Sequence, residues 1–175
     1  MPDAPGTEIL AQELREAHPE AVLGTEFFRD KGAISVAPEA IGDVLEFLRA
    51  KGFGHLMSVH GLDYFPQEPR LGVQYELLDR DALDRLTVKL RVPLDAASVP
   101  SVTAQWPTAN HQEREVYDMF GVVFDGHPDL RRILMPEDYE GFPQRRDFPL
   151  GGEPVLFTHD EAQGKDYTMG TDRPA

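Results

Sequence analysis

The sequence predicts an α+β domain, with a mainly antiparallel sheet and helices packed on it, followed by an extended irregular C-terminal arm. Three observations support this fold class. Residues 86–94 alternate apolar and polar side chains, which is typical of a half-buried strand. Residues 38–52 instead repeat apolar side chains with the period of an amphipathic helix. Beyond residue 121, glycine and proline interrupt both periods.

The N-terminal segment contains one short predicted helix. Residues 1–6 are expected to be disordered, and Thr7 is a suitable N-cap. The apolar side of the helix is formed by Ile9, Leu10 and Leu14. His18-Pro19 ends the helix, because the residue before proline avoids helical backbone angles.

A strand and a longer helix follow. Residues 33–37 alternate weakly and predict a strand. The helix over 38–52 begins with Pro38, which suits the first helical position, and stops at Gly52. Its apolar positions have helical spacing: Ile41, Val44, Leu45 and Leu48.

Three further strands are predicted at residues 55–64, 71–78 and 86–94. The short polar turn between the second and third of these predicts an antiparallel, hairpin-like pair. A helix packed on one face of such a sheet gives an α+β layer arrangement.

The pattern changes after the last of these strands. Residues 99–106 predict a short helix, with Pro100 near its start. A second helix is expected over residues 107–120, with Asn110 and Glu113 in a capping-box arrangement and Gly121 as its stop. This helix completes the α+β domain, which we assign to residues 7–121.

Residues 122–150 are predicted to form the extended arm. Irregular backbone that carries many large apolar side chains has to pack on something, either its own domain or neighbouring subunits. The pattern favours these two arrangements equally. Residues 151–175 are acidic and poor in apolar side chains, so we expect a flexible tail.

Charge and composition exclude several classes of function. The chain carries 17 Lys and Arg against 31 Asp and Glu, a formal net charge of −14. This charge repels nucleic-acid phosphates and anionic lipids, so neither is an expected partner. The absence of cysteine excludes disulfides, cysteine nucleophiles and cysteine ligands to iron–sulfur clusters. The N-terminus lacks signal-peptide character, and no segment is apolar enough to span a membrane, so we expect a soluble chain.

Few residues of the sequence are candidates for a catalytic or metal-binding role. His111, Glu115 and Asp118 share one helix face and could hold a metal ion, although an ordinary ion-paired helix face is the stronger interpretation. His127 is a conceivable base, but a turn histidine bonded to local backbone is the better prediction. The chain has no nucleophile elbow, phosphate loop or dinucleotide fingerprint.

The segments EREVYDMFGVVFDGHPDLRRIL (113–134) and MPEDYEGFPQRRDFPL (135–150) resemble the thirty-kilodalton subunit family of respiratory complex I, a bacterial and mitochondrial NADH:quinone oxidoreductase. The resemblance is nearly continuous here, whereas upstream only the order of elements and the VHGLDYF stretch (59–65) are similar. The residues that carry it are predicted to form the family signature and a subunit interface: Glu113, Arg114, Glu115, Asp118, Phe120, Gly121, His127, Arg131, Arg132, Pro136, Asp138, Gly141, Pro143, Arg146, Asp147, Phe148 and Pro149.

The resemblance implies a structural subunit of the peripheral arm of a proton-pumping complex, on the cytoplasmic side of the bacterial cell membrane. The chain itself would have no catalytic residue, cofactor or metal, and it would be inactive alone. FMN and Fe-S clusters would lie in partner subunits, and the large quinone-site subunit would be the main neighbour. Membrane association would occur only through the complex.

Two alternatives remain open at this point. The chain could be the equivalent subunit of a related membrane-bound hydrogenase or dehydrogenase complex. More distantly, it could be a metal-dependent hydrolase that uses His111, Glu115 and Asp118. For Arg114, Arg131 and Arg132, the sequence predicts pairing with carboxylates at a desolvated boundary.

Overall fold

The computed structural model describes residues 4–29 and 31–149 of the chain. The helices are α1 (Ala4–Ala17), α2 (Ile41–Ala50) and α3 (Ala109–Phe120). The strands are β1 (Val22–Phe28), β2 (Lys31–Val36), β3 (His55–Asp63), β4 (Leu71–Asp79), β5 (Asp84–Val92), β6 (Ser98–Pro100) and β7 (Val123–Asp125). The acidic tail predicted over residues 151–175 lies outside the described residues.

The main sheet has five strands in the order β1-β2-β5-β4-β3. All neighbours are antiparallel except β2 and β5, which run parallel. The α+β class and the mainly antiparallel sheet are therefore confirmed. The β4–β5 hairpin is also confirmed, and its register aligns Tyr75 with Val88.

One face of the sheet forms the core. In register across the strands, Ile34, Val88, Tyr75 and Val59 point to the same side, because side chains alternate along each strand. Helix α2 contributes Ile41, Val44, Leu45 and Leu48, all of which are fully buried. Burial of each such side chain contributes about 1.5–3 kcal/mol, so apolar packing holds this part of the chain together.

Two predictions for the N-terminal region are wrong. Helix α1 begins at Ala4, so residues 4–6 are helical rather than disordered, and Thr7 lies inside the helix instead of capping it. Pro5 is compatible with this start, since the first helical turn does not need its N–H group. Residues 22–28, for which no element was predicted, form β1 at the edge of the sheet. Several polar and apolar residues of β1 are exposed together, so its side chains do not alternate cleanly.

The helix predicted over residues 99–106 is also wrong. Val99, Val102 and Trp106 have helical spacing and are buried, but Ser98–Pro100 pair with β7 as a parallel strand. The Nε1 of Trp106 donates to the carbonyl of Gly54 at 3.2 Å. Tertiary pairing therefore overrides the local apolar pattern.

Helix α3 connects the two strands of this small second sheet, β6 and β7. It packs against β3 of the main sheet through Val116, Met119 and Phe120, which are buried. The predicted helix is confirmed, but its capping box is wrong. Thr108 is the N-cap and makes no side-chain cap hydrogen bond, while Glu113 points into the protein.

Candidate functional site

Two buried carboxylates of α3 determine how the segments around it are held. Glu113 accepts hydrogen bonds from the Ser101 hydroxyl at 2.7 Å and from the Val102 N–H at 2.8 Å. Its side chain thereby provides acceptors for one backbone N–H and one hydroxyl of the loop after β6. Burial raises the pKa of Glu113 above its usual value, although these two hydrogen bonds oppose the shift.

Asp118 anchors the arm at the other end of the helix. Its Oδ1 accepts from Nη1 of Arg132 at 2.7 Å. Its Oδ2 accepts from three successive backbone N–H groups, those of Ile133, Leu134 and Met135, at 3.0, 2.7 and 2.9 Å. We call Asp118, Arg132 and the backbone of 133–135 the Asp118 cluster.

The electrostatics of the Asp118 cluster favour the ionised carboxylate. The Asp118 side chain is fully buried and that of Arg132 is 13% exposed. Burial raises the pKa of Asp118, but the hydrogen bonds from Met135, Arg132 and the other two amides outweigh it, so the pKa lies below its usual value. A carboxylate with all these donors is a strong acceptor for a turn of irregular backbone.

The arginines around this cluster do not all pair as predicted. Arg132 pairs with a buried carboxylate, as the sequence suggested. Arg114 instead donates to the backbone carbonyls of Arg131 and Arg132, both at 3.1 Å. The Arg131 side chain, 61% exposed, pairs with the exposed Asp129. The prediction is therefore wrong for Arg114, and for Arg131 it gives a pair in solvent rather than at a desolvated boundary.

Aromatic rings complete the packing of the arm on α3. The Arg132 guanidinium lies over Tyr139 and Phe142, with centroid distances of 5.7 and 5.5 Å. The Arg145 guanidinium lies 4.3 Å from the Phe142 centroid, and its Nε donates to the carbonyl of Phe120 at 2.6 Å. These cation–π contacts lie within the arm, and because both arginines also donate to carbonyls in the last turn of α3, they help to join the arm to the helix.

Gly121 makes this approach sterically feasible. It terminates α3 in the left-handed region, with φ of 76°, which glycine adopts without strain. A Cβ at this position would lie 2.5 Å from Nη2 of Arg145 and 2.6 Å from the Phe142 ring. Both the helix stop and the path of the arm therefore require a residue without a side chain.

A second ion cluster holds the far end of the arm. Arg70, just before β4, donates to both oxygens of Asp63 at 2.9 and 2.7 Å, and to both oxygens of Asp147 at 2.9 and 2.6 Å. The Arg146 N–H also donates to Asp63. We call Asp63, Arg70, Asp147 and this amide the Arg70 cluster. The side chains of Arg70 and Asp63 are 5% and 2% exposed, whereas that of Asp147 is 50% exposed.

Hydrogen bonding holds Asp63 in its charged form. The Arg70 guanidinium, together with the Arg146 and Phe65 N–H groups, brings the pKa of Asp63 far below its usual value despite burial. Asp63 lies in the VHGLDYF stretch, and Asp147 lies in the Arg-Asp-Phe-Pro element (146–149). The two stretches that resemble the family, although far apart in the sequence, therefore contact each other in the structure.

His127 is a turn histidine, as predicted. Its Nδ1 accepts from the Asp129 N–H at 3.0 Å, so the ring proton is assigned to Nε2, which donates to the Asn110 carbonyl at 3.1 Å. Both ring nitrogens are used in local backbone contacts, and the ring connects the start of the arm to α3.

The hydrolase alternative is not supported by this arrangement. His111 and Glu115 are exposed, whereas Asp118 is buried with both oxygens engaged by the arm. Within residues 4–29 and 31–149, no three His, Asp or Glu side chains are placed to hold a metal ion.

The remaining signature residues are Phe120, at the end of α3, and residues in the turns of the arm. Phe120 is buried against β3, and Phe148 stacks on Tyr139 with centroids 6.2 Å apart. The other predicted positions lie at or near the surface: Pro136, Asp138, Gly141, Pro143 and Pro149. Sequence reasoning missed Arg70 and did not assign a role to Asp63. The signal for Asp63 was the VHGLDYF stretch, but no local pattern links Arg70 to a carboxylate 77 residues away.

Comparisons with known proteins place this geometry in a family. The family described as "Respiratory-chain NADH dehydrogenase, 30 Kd subunit" matches residues 34–154. The chain belongs to this family. The match begins within β2 and includes the later strands of the main sheet, α3 and the described part of the arm, and therefore both ion clusters.

Individual relatives agree with the assignment. A relative from Roseiflexus sp. (strain RS-1), named as a subunit of NADH-quinone oxidoreductase, is 47% identical over 153 residues, covering 86% of this chain and 88% of that protein. NADH-quinone oxidoreductase subunit 5 of Thermus thermophilus is 46% identical over 129 residues, covering 68% of this chain and 62% of that protein.

Solved structures share the fold. A trypsin-resistant fragment of Nqo5 superposes with a TM-score of 0.61 at 34% identity, covering 69% of this chain and 98% of the fragment. A chain of an archaeal membrane-bound sulfane sulfur reductase has a TM-score of 0.69 at 24% identity, covering 96% of this chain and 98% of that chain, and this shows the fold alone. Among the described helices of this family member, none is long and apolar enough to cross a membrane.

Proposed function

We propose that this chain is a non-catalytic structural subunit in the peripheral arm of a proton-pumping NADH:quinone oxidoreductase. Its arm would provide a contact surface for other subunits, chiefly the large subunit that carries the quinone site. FMN and Fe-S clusters would belong to the partners, which transfer electrons from NADH to quinone. The chain would lie on the cytoplasmic side of the cell membrane and be attached to it only through the complex.

The observation that carries this proposal is the way in which the arm is held. The Asp118 and Arg70 clusters satisfy the arm's buried polar groups internally. The side chains of Ile133 and Leu134 nevertheless remain 39% and 60% exposed beside the Asp118 cluster. A rigid backbone that presents apolar side chains to solvent is suited to binding another protein. The polar groups of α3 serve this rigidity, which favours a scaffold over a catalyst.

The identity of the complex can be tested by gentle solubilisation of membranes and purification through a tagged copy of the chain. We expect partner subunits, flavin and NADH-dependent quinone reduction to co-purify. The high identity to NADH-quinone oxidoreductase subunits supports this outcome. Co-purification with hydrogenase or sulfur-reductase subunits, without NADH oxidation, would support the related membrane-bound complexes instead.

The role of the arm can be tested separately with Leu134→Asp. A charge at an apolar contact should reduce the amount of assembled complex, while quinone reduction per flavin in the complex that does assemble stays near normal. Leu83→Asp is a matched control, because Leu83 is 71% exposed in the β4–β5 turn, away from the arm. Equal assembly of both variants and the parent would contradict a contact at Leu134, and a loss of turnover per flavin would contradict the scaffold role.

A further inference from the structure

The face of the main sheet opposite α2 contains a cavity that the proposed scaffold role does not use. Its volume is about 370 Å³, and its polar lining includes Ser35, Tyr64, Gln67, Lys89 and Arg91. Lys89 and Arg91 alternate along β5 with buried core residues and therefore point away from the core. The volume lies within the range of small-molecule sites.

Arg91 is the distinctive group of this cavity. Its guanidinium lies over the Tyr64 ring, 4.2 Å from the centroid. Its Nε and Nη2 atoms are buried and have no hydrogen-bond partner among the described residues. These two N–H groups form the side-on edge of the guanidinium, which matches the two oxygens of a carboxylate. Buried donors without acceptors cost free energy. Both atoms are shielded from solvent, so a carboxylate reaches them when the guanidinium turns toward the cavity, which Arg91 already lines.

The charge of the cavity specifies its occupant further. Lys89 already pairs with Glu26 at 2.7 Å, and both line the cavity. Two cations and one carboxylate leave a single positive charge, carried in effect by Arg91. This local excess contrasts with the net charge of −14 of the whole chain. Leu23 and Pro69 contribute apolar walls, which favour an aliphatic stem behind the charged group.

We propose that this cavity binds a carboxylate on an aliphatic stem, with the Nε and Nη2 of Arg91 as its donors. No arm residue is among its lining, although Tyr64, Gln67 and Pro69 belong to the segment between Asp63 and Arg70, which contacts the arm. The carboxylate could belong to a free small acid or to an acidic side chain of a neighbouring subunit, and the chemistry of recognition is the same in both cases.

Titration of the purified full chain with sodium butyrate tests recognition directly. The side-chain Nε–H signal of Arg91 in ¹⁵N-labelled protein should shift saturably, whereas butylammonium chloride and sodium chloride should leave it unchanged. Arg91→Gln should weaken butyrate binding, measured by calorimetry, by about tenfold or more, because it removes charge-assisted hydrogen bonds.

A variant that binds butyrate more tightly is a useful second test, because misfolding could explain a loss of binding but not a gain. Glu26→Gln removes the rim carboxylate and raises the local charge, so it should tighten butyrate binding several-fold. The Glu26 side chain is 63% exposed, and loss of an exposed pair has little effect on folding. Unchanged or weaker binding in Glu26→Gln would contradict the electrostatic part of the proposal.

The source of the carboxylate can be identified in the assembled complex, and this experiment alone rests on the proposed function. A water-soluble carbodiimide joins Lys89 to a carboxylate held beside it, and the Lys89–Glu26 pair provides an internal reference. A Lys89 link to another subunit, lost in Lys89→Arg, would assign the site to a partner side chain. Butyrate binding without such a link would assign it to a free acid. Absence of both butyrate binding and an intersubunit link overturns the proposal.

Discussion

The main sheet and the arm are stabilised by different forces. The sheet and α2 are held by side chains that are fully buried, Leu45 and Tyr75 among them. The arm is instead fixed at two points by charged hydrogen bonds, while Ile133 and Leu134 remain exposed. Apolar packing is non-directional and tolerates many arrangements, whereas a carboxylate with four donors fixes one backbone path. The comparison explains how a segment without regular structure can present a defined surface.

Removal of the Asp118 carboxylate should have the largest effect on the arm. Asp118→Ala leaves Arg132 without its partner and three amides unsatisfied, so we expect the free energy of unfolding to fall by about 3–5 kcal/mol. Urea denaturation measures the loss, and hydrogen exchange should show rapid exchange at residues 133–135. Glu115→Ala, on the exposed side of the same helix, is the control. Similar loss in both variants would show that α3, not the cluster, accounts for the effect.

A core substitution should destabilise the protein by a similar amount, but it should accelerate hydrogen exchange over a wider part of the chain. Leu45→Ala creates a cavity under α2 and should lower the free energy of unfolding by about 2–5 kcal/mol. Because the arm rests on the domain, exchange should accelerate in the sheet and the arm together, whereas Asp118→Ala accelerates it mainly in the arm. Exchange measured by mass spectrometry distinguishes the two patterns. An arm that stays protected in Leu45→Ala would contradict this dependence.

Acid should weaken the arm without any mutation. The pKa values of Asp118 and Asp63 are lowered in the folded chain, so the unfolded chain binds more protons as pH falls below about 4. The stabilisation that these two carboxylates provide is therefore fully present above that pH, and it is lost progressively as pH falls from there through their lowered folded-state pKa values. Urea denaturation between pH 7 and 3 should show a shallower decline for Asp118→Asn than for the parent. Asp138→Asn, an exposed arm residue, should follow the parent, and identical curves for all three would exclude a contribution from Asp118.

The smallest effect is expected at the exposed pair of Arg131 and Asp129. Their side chains are 61% and 53% exposed, so Arg131→Ala should change the free energy of unfolding by only about 0–1 kcal/mol. Arg132→Ala, one residue further along, leaves the buried Asp118 without its cation and should cost about 3–5 kcal/mol. Urea denaturation of the two variants side by side measures the contrast. Equal losses of unfolding free energy would mean that burial does not determine how much each of these arginines contributes to stability.

Periodicity predicted most of the sheet and the long helices. The alternation in β5 and the helical spacing in α2 follow from elements that bury a single face, so they are visible in the sequence alone. Gly121 as the stop of α3 was predictable for a similar local reason. The predictions were wrong where residues are buried by contacts with distant parts of the chain. The spacing of Val99, Val102 and Trp106 indicated a helix, although these residues belong to a strand and the turns after it.

By itself, the sequence determined the fold class, the family signature and the segment that forms the arm, because each depends on local spacing and residue type. Only the tertiary structure decided which charges meet. Arg70 binds Asp147, 77 residues away, and Glu113 turns inward to the loop at Val102 instead of capping its own helix. Ion pairs between distant segments leave no periodic trace, because their partners are selected by chain topology and by the free energy of burying an unpaired charge.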